Sequence, residues 1–260
     1  MRPGIIFCAV FAVLVHAGTA CTVLEDRSAC PARLHLDLSD ISNQSCDSLK
    51  LYIGSSRFSM ARTIGRDSYS SDYVVEIPDR GGVCLNVYDN RIASYVDGGT
   101  FTIPEGRQCP EAFMFSAFAD TSEEENDAYV KLHKNYCGVS LLFTADNAGE
   151  YDLYVYGDVC GYSESGQPSE GRFLYRPGIL DGSSCFFRLP RQKDASLRMG
   201  ISAGGENERF FALGNYIEES GYDWTKEDLD DVVIKINYAQ TILTITINDW
   251  TVREEMSVII

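Results

Sequence analysis

The sequence is poor in the residues from which most active sites are built. It has three histidines and two tryptophans in 260 residues. Beyond the N-terminal apolar stretch only His35 and His133 remain, and neither has a second histidine at ligand spacing. Each reads as a structural or solvated histidine. Cys-x-x-Cys is absent, so neither a zinc site nor a redox motif is indicated. His-Glu-x-x-His and the phosphate-cradling Gly-x-x-x-x-Gly-Lys are absent too. The stretch Gly161-Tyr-Ser-Glu-Ser-Gly carries its serines at the wrong offsets for a nucleophile elbow. Carboxylates are plentiful, but nothing positions two of them as a glycosidase pair. The acidic run Thr121-Ser-Glu-Glu-Glu-Asn-Asp lacks the alternating spacing of a calcium loop and is expected to be a solvated loop. The expectation is therefore a chain that is no enzyme, with no catalytic residue, no cofactor and no metal.

Positive charge is also scarce. Lys and Arg number 22 against 38 Asp and Glu, a net charge of -16, which disfavours nucleic acid and anionic membrane surfaces as partners. Long hydrophobic runs are missing as well. The longest, Ile5 to Val15, is too short to span a bilayer comfortably. With Arg2 before it and Gly18-Thr19-Ala20 after it, this run predicts a secretory signal over residues 1–20. Cys21 follows at once. Two processing routes fit the same bond: ordinary cleavage after Ala20, or cleavage after the Cys21 sulfur has received a lipid. Lipidation of Cys21 is the expected modification. Gly18 departs from the leucine usual at that place in a lipoprotein box. If Cys21 is lipidated, seven cysteines remain beyond the signal, an odd number; if it is not, eight could pair.

What the sequence does have is alternation. From Asp230 to Trp250, Val232, Ile234, Ile236 and Tyr238 share one face of a run; Leu243, Ile245 and Ile247 share one face of the next. A period of two in β-branched residues predicts half-buried strands. The connection lacks Asn-Gly or Asp-Gly, so a four-residue loop is expected, and Trp250 is expected to close the second strand as a buried ring. Near the other end, Leu34, Leu36 and Leu38 alternate with Arg33, His35 and Asp37 as a first strand. Between the ends, short apolar runs at Leu49–Ile53, Tyr73–Ile77, Val83–Tyr88, Ile92–Tyr95, Thr100–Ile103 and Ala112–Ala119 are separated by glycine and polar residues. Tyr151–Tyr156, Ser184–Leu189 and Leu197–Ile201 continue the pattern. Gly157 to Pro177 reads as a long polar loop. Only Thr225 to Leu229 hints at a helical turn, with Thr225 as its cap. Tyr129 to Phe143 is a further long run in this pattern. The 260 residues allow one large or two modest domains, and at 45% hydrophobic and 12% aromatic residues there is ample material for packed cores.

Both ends carry a resemblance. The N-terminal part has an export cysteine, a short acidic tether, then Cys30-Pro31 and a first strand. The C-terminal part has Phe211-Ala-Leu-Gly-Asn-Tyr-Ile, Trp224, Asp228-Leu-Asp-Asp and paired strands ending in Asn248-Asp249-Trp250. Together they resemble the FimB-type fimbrial anchor proteins, outer-membrane lipoproteins at the base of type V fimbriae. The resemblance implies an all-β fold of two tandem transthyretin-like β-sandwich domains, 21–135 and 136–260. It implies attachment to the outer membrane through a lipid on Cys21. It also implies partnership with fimbrial subunits (fimbrillin) by β-strand complementation, with a part in fimbrial assembly and length. There are two alternatives. One is a fimbrial shaft or tip subunit, which shares this architecture, though a shaft precursor normally has a longer segment before its first strand. The other, of a different class, is a surface glycan-binding lipoprotein, which would need an exposed aromatic platform.

Overall fold

The structure is a computed structural model. It describes residues 29–43, 46–145, 151–179, 184–203, 207–238, 240, 242–247, 250–255 and 258–259. Cys21, with its expected lipid, lies outside these residues, as does the expected N-terminal signal.

The expected all-β architecture is present as four sheets around two cores. The first half contributes β1 (Ala32–Asp37), β2 (Ser48–Gly54), β3 (Ser59–Gly65), β4 (Tyr73–Ile77), β5 (Gly82–Asp89), β6 (Val96–Asp97), β7 (Thr100–Thr102), β8 (Phe113–Asp120), β9 (Glu125–Tyr129) and β10 (His133–Lys134). One sheet has the order β4-β1-β9 and the other β10-β8-β5-β2-β3. Leu34 and Leu36 of β1, Val75 and Ile77 of β4, Leu49 and Leu51 of β2, and Leu85 and Val87 of β5 meet in one cluster between them. The leucine alternation is the cause: Leu34, Leu36 and Leu38 are fully buried, while His35 on the opposite face reaches polar partners.

The second half contributes β11 (Tyr136–Thr144), β12 (Tyr151–Tyr162), β13 (Pro168–Ile179), β14 (Ser184–Pro190), β15 (Arg198–Ala203), β16 (Arg209–Phe211), helix α1 (Leu213–Glu219), β17 (Val232–Asn237), β18 (Ile242–Ile247), β19 (Trp250–Glu255) and β20 (Val258–Ile259). A five-stranded sheet runs β14-β11-β17-β18-β19. The other sheet runs β20-β16-β15-β12-β7-β6, with β13 paired to β12. Strands β17 and β18 pair in register from Val232↔Ile247 to Asn237↔Ile242, leaving the expected four-residue loop between them. Ile234, Ile236, Leu243 and Ile245 fill the core.

The two cores do not divide the sequence at one point. Strands β6 and β7 come from the first half, yet β7 pairs with β12 (Gly161↔Thr102, Tyr162↔Phe101). Phe101, Ile103, Cys109 and Ala112 are buried in the second core. Gly161 permits this pairing. A Cβ there would stand 2.0 Å from the Phe101 carbonyl oxygen, so only a glycine lets the backbones approach.

Several local expectations are corrected. Residues 157–177 are not a loop but most of the β12–β13 hairpin; their outward charges hid a strand whose inner face holds Val159 and Phe173. Ile92–Tyr95 lies in a 3-10 turn, Asn90–Tyr95, because the buried Asp89 carboxylate accepts from Arg91 N (2.8 Å) and starts a helical turn. The acidic run is only partly a loop, since Glu125–Tyr129 pairs in parallel with β1. The helical turn lies at Leu213–Glu219, not at Thr225–Leu229. There Thr225 caps nothing helical and instead donates to Asp223 through its N (2.8 Å) and Oγ1 (2.6 Å). Trp250 does not close β18; it opens β19 and pairs with Ile247. Its ring lies outside the described side chains.

Candidate functional site

Between β10 and β11 the chain passes from one core to the other at Asn135, and every polar group of this residue is engaged. Its N donates to Ala112 O (2.9 Å). Its Nδ2 donates to His133 O (3.0 Å) and Met114 O (3.3 Å). Its carbonyl accepts from the Tyr162 hydroxyl, and its Oδ1 accepts from Arg191 Nη2 (3.2 Å).

Arg191 follows the end of β14 and acts as a clamp. Besides Asn135, its guanidinium donates to the carbonyls of Trp224, Lys226 (2.6 Å) and Glu227 (3.1 Å). Its backbone N donates to Tyr162 Oη (2.8 Å). The planar fork of an arginine can reach several carbonyls at once, which a lysine cannot. Three separated segments, 135, 162 and 224–227, are thus tied at one point.

A second belt lies beside it. Lys134 N donates to Asp228 Oδ1 (2.8 Å), Leu229 N donates to Lys134 O (3.0 Å), and Lys134 Nζ reaches Leu229 O (3.0 Å) and Asp231 Oδ1 (2.6 Å). Asp231 Oδ1 also accepts from Gly138 N (2.6 Å). Burial pushes the Asp228 carboxyl up, but the hydrogen bonds from Lys134 N and His133 outweigh it, so its pKa is lowered.

These contacts wall a cleft of about 620 Å³ where the two cores meet. Ser116 of β8, Gln167 at the tip of the β12–β13 hairpin, and Lys193, Trp224 and Lys226 line it. The cleft assembles no nucleophile with a base. Among the described residues no group of three or more His, Cys, Asp and Glu is placed to hold a metal ion.

The residues singled out in the sequence fall elsewhere or in supporting roles. His133 stands 3.3 Å from Asp228 at the junction. His35 bridges two neighbours of β1, Asp72 (2.6 Å) and Glu125 (2.8 Å), and these hydrogen bonds raise its pKa, Glu125 most. The seven described cysteines are free, with Cys46, Cys109 and Cys137 buried. Among the described residues, the open flanks of the first core's sheets include β3, β4 and β9. Arg191 had no signal in the sequence, because most of its partners are backbone carbonyls.

No protein-family model matches the chain, and no curated protein matches it in sequence. Solved structures do match in fold. A candidate adhesin from Bacteroides ovatus superposes with a TM-score of 0.57 at 11% identity, covering 89% of this chain and 97% of that one. A protein from Bacteroides thetaiotaomicron described as polysaccharide-binding gives 0.55 at 11% identity, covering 86% and 98%. The fimbrial anchor protein Mfa2 from Porphyromonas gingivalis gives 0.57 at 11% identity, covering 86% of this chain and 100% of that one. At such identities the likeness establishes a shared fold: over most of its length this chain has the fold of a candidate adhesin and of a fimbrial anchor protein.

Proposed function

We propose that the chain is a fimbrial anchor subunit, held at the outer membrane by a lipid on Cys21 and joined to fimbrial subunits through an open sheet edge. It catalyses no reaction in this reading. The observation that carries the proposal is the N-terminal order: Arg2 and an apolar run that reads as a secretory signal, then Cys21, then β1 beginning at Ala32. A tether of about ten residues reaches at most about 35 Å when fully extended, so a lipid on Cys21 would keep the first core close to the bilayer. The shared fold with Mfa2, itself described as a fimbrial anchor, supports the reading. So do the edge strands β3, β4 and β9, because strand addition needs an open edge for backbone pairing. The clamped junction suits a protein that transmits pull from a fibre to a membrane.

Cys21→Ala tests it. The variant is expected to leave the detergent phase and the outer-membrane fraction, and fimbriae are expected to be shed into the medium. A variant that stays in the outer-membrane fraction to the wild-type extent would rule out lipid anchoring. Normal fimbrial retention after deletion of the whole gene would rule out the anchor role and leave the shaft, tip or glycan-binding alternatives.

A further inference from the structure

On the outer face of the seven-stranded sheet the register brings three residues into one row across three strands. Tyr154 of β12 lies opposite Gly200 of β15, and Gly200 lies opposite Phe210 of β16. The inner neighbours Leu153, Val155, Met199 and Ile201 are buried, so this row faces away from the core. Tyr156 stands beside Tyr154 with its ring nearly parallel (28°, centroids 6.2 Å apart), and Phe210 leans on Tyr156 (5.6 Å). Gly200 makes a notch between the aromatic walls, and the Glu208 side chain folds into it. A Cβ on Gly200 would stand 1.6 Å from Glu208 Oε1. The Tyr156 hydroxyl holds both Glu208 oxygens, each at 3.0 Å. Burial and this carboxylate push the phenol up to about 12, so it stays a donor. Next to the row lies a groove of about 620 Å³, reached by Tyr156 and Arg198 and walled by Asp158, Glu170, Lys193 and Asp194.

We propose that this face binds a neutral oligosaccharide. Three properties point to that chemistry. Half-buried aromatic rings, with Arg176 set over Tyr154 (5.6 Å) and Arg198 over Phe210 (5.9 Å), offer ring surface and guanidinium planes against which the C–H faces of a sugar ring can pack. A carboxylate fixed in the notch and the polar groove beside it offer acceptors and donors for sugar hydroxyls. Charges here are matched internally: Arg176 with Asp152, and Lys193 with Glu170 (3.3 Å). A face with many polar groups but little net charge favours an uncharged ligand over an anionic one. The site is independent of Cys21, so its failure leaves the anchor reading standing, and the reverse holds too.

The test is calorimetric titration of the mature chain with neutral hexasaccharides, namely cellohexaose, mannohexaose, maltohexaose and chitohexaose, with hexagalacturonate as the anionic control. At least one neutral sugar is expected to bind and the control is not. Phe210→Ala should weaken binding about tenfold, the loss of one ring contact. Gly200→Ala is the second variant. Its methyl group would evict the flexible Glu208 end, so binding should fall while the melting temperature holds. Absence of binding across the neutral panel overturns the proposal, as does binding that survives Gly200→Ala and Phe210→Ala. Protection of residues 198–210 from hydrogen exchange by a purified fimbrial subunit, with no sugar bound, would make the face a protein-docking surface and equally overturn it.

Discussion

Replacing Arg191 by alanine removes the clamp while leaving both cores in place. The side chain donates to Asn135 Oδ1 and to the carbonyls of Trp224, Lys226 and Glu227. A hydrogen bond from a charged donor is worth about 1.5–3 kcal/mol. The full sum is not lost, because the freed carbonyls lie beside an open cleft and water can reach them. A net destabilisation of about 2–4 kcal/mol follows. In a chain of this size each kcal/mol moves the melting temperature by about 2–4 °C, so a drop of about 5–15 °C is expected in calorimetry. Small-angle scattering should show a larger radius of gyration, because the strands on either side of Asn135 lose their tie to the 224–227 turn. Arg191→Lys should recover less than half of the loss, since an ammonium group cannot span the same acceptors. A shift of less than about 2 °C with an unchanged scattering profile would refute the reasoning and mean that the Lys134–Asp231 belt suffices alone.

Two further outcomes can be checked. His35 has a folded-state pKa raised above 6.5 by Glu125 and Asp72; its contribution is complete below the unfolded pKa and lost as pH rises through the folded one. Denaturation midpoints should therefore fall as pH rises above the ordinary histidine range, less so in His35→Gln; equal pH slopes in the two proteins would show that this bridge contributes nothing. Phe101→Ala should cost about 3–5 kcal/mol in urea unfolding, because the fully buried ring packs on Tyr95 (5.9 Å) and Tyr162 (5.5 Å); a near-neutral result would detach β7 from the second core.

Much of the strand pattern was legible because alternation leaves a local trace. Leu34, Leu36 and Leu38 on one side, and the β17–β18 pair with its four-residue loop, could be read from a few adjacent positions. What failed was structure fixed by distant partners. Residues 157–177 look like loop because Gly157, Gly161 and Gly171 and the outward charges of Asp158, Glu170 and Arg172 dilute the apolar signal. Their strand character comes from pairing between β12 and β13. Ile92–Tyr95 looks like strand because its composition is apolar, and the preceding Asp89 turns it. The chemistry around Asn135 was not legible, because an arginine that binds carbonyls leaves no motif. The same holds for the Tyr154–Gly200–Phe210 row, which exists only once three strands have taken their register.

The passage of β6 and β7 into the second core bears on how the chain is made. A segment near residue 100 must wait for a partner that is synthesised later, β12 at 151–162, and for the rest of the sheet that β12 joins, out to β20 at Val258–Ile259. Long separations between contacting residues slow folding, because the chain must close large loops before the contacts repay it. The second core is therefore the late event, and Phe101, Ile103 and Cys109 stay exposed until most of the chain is available. A fragment starting at residue 136 would lack these three side chains and carry a hole where they belong. The two halves are thus not interchangeable cassettes: recombination that exchanges one of them at Asn135 would break the other's interior, which ties both to a single history.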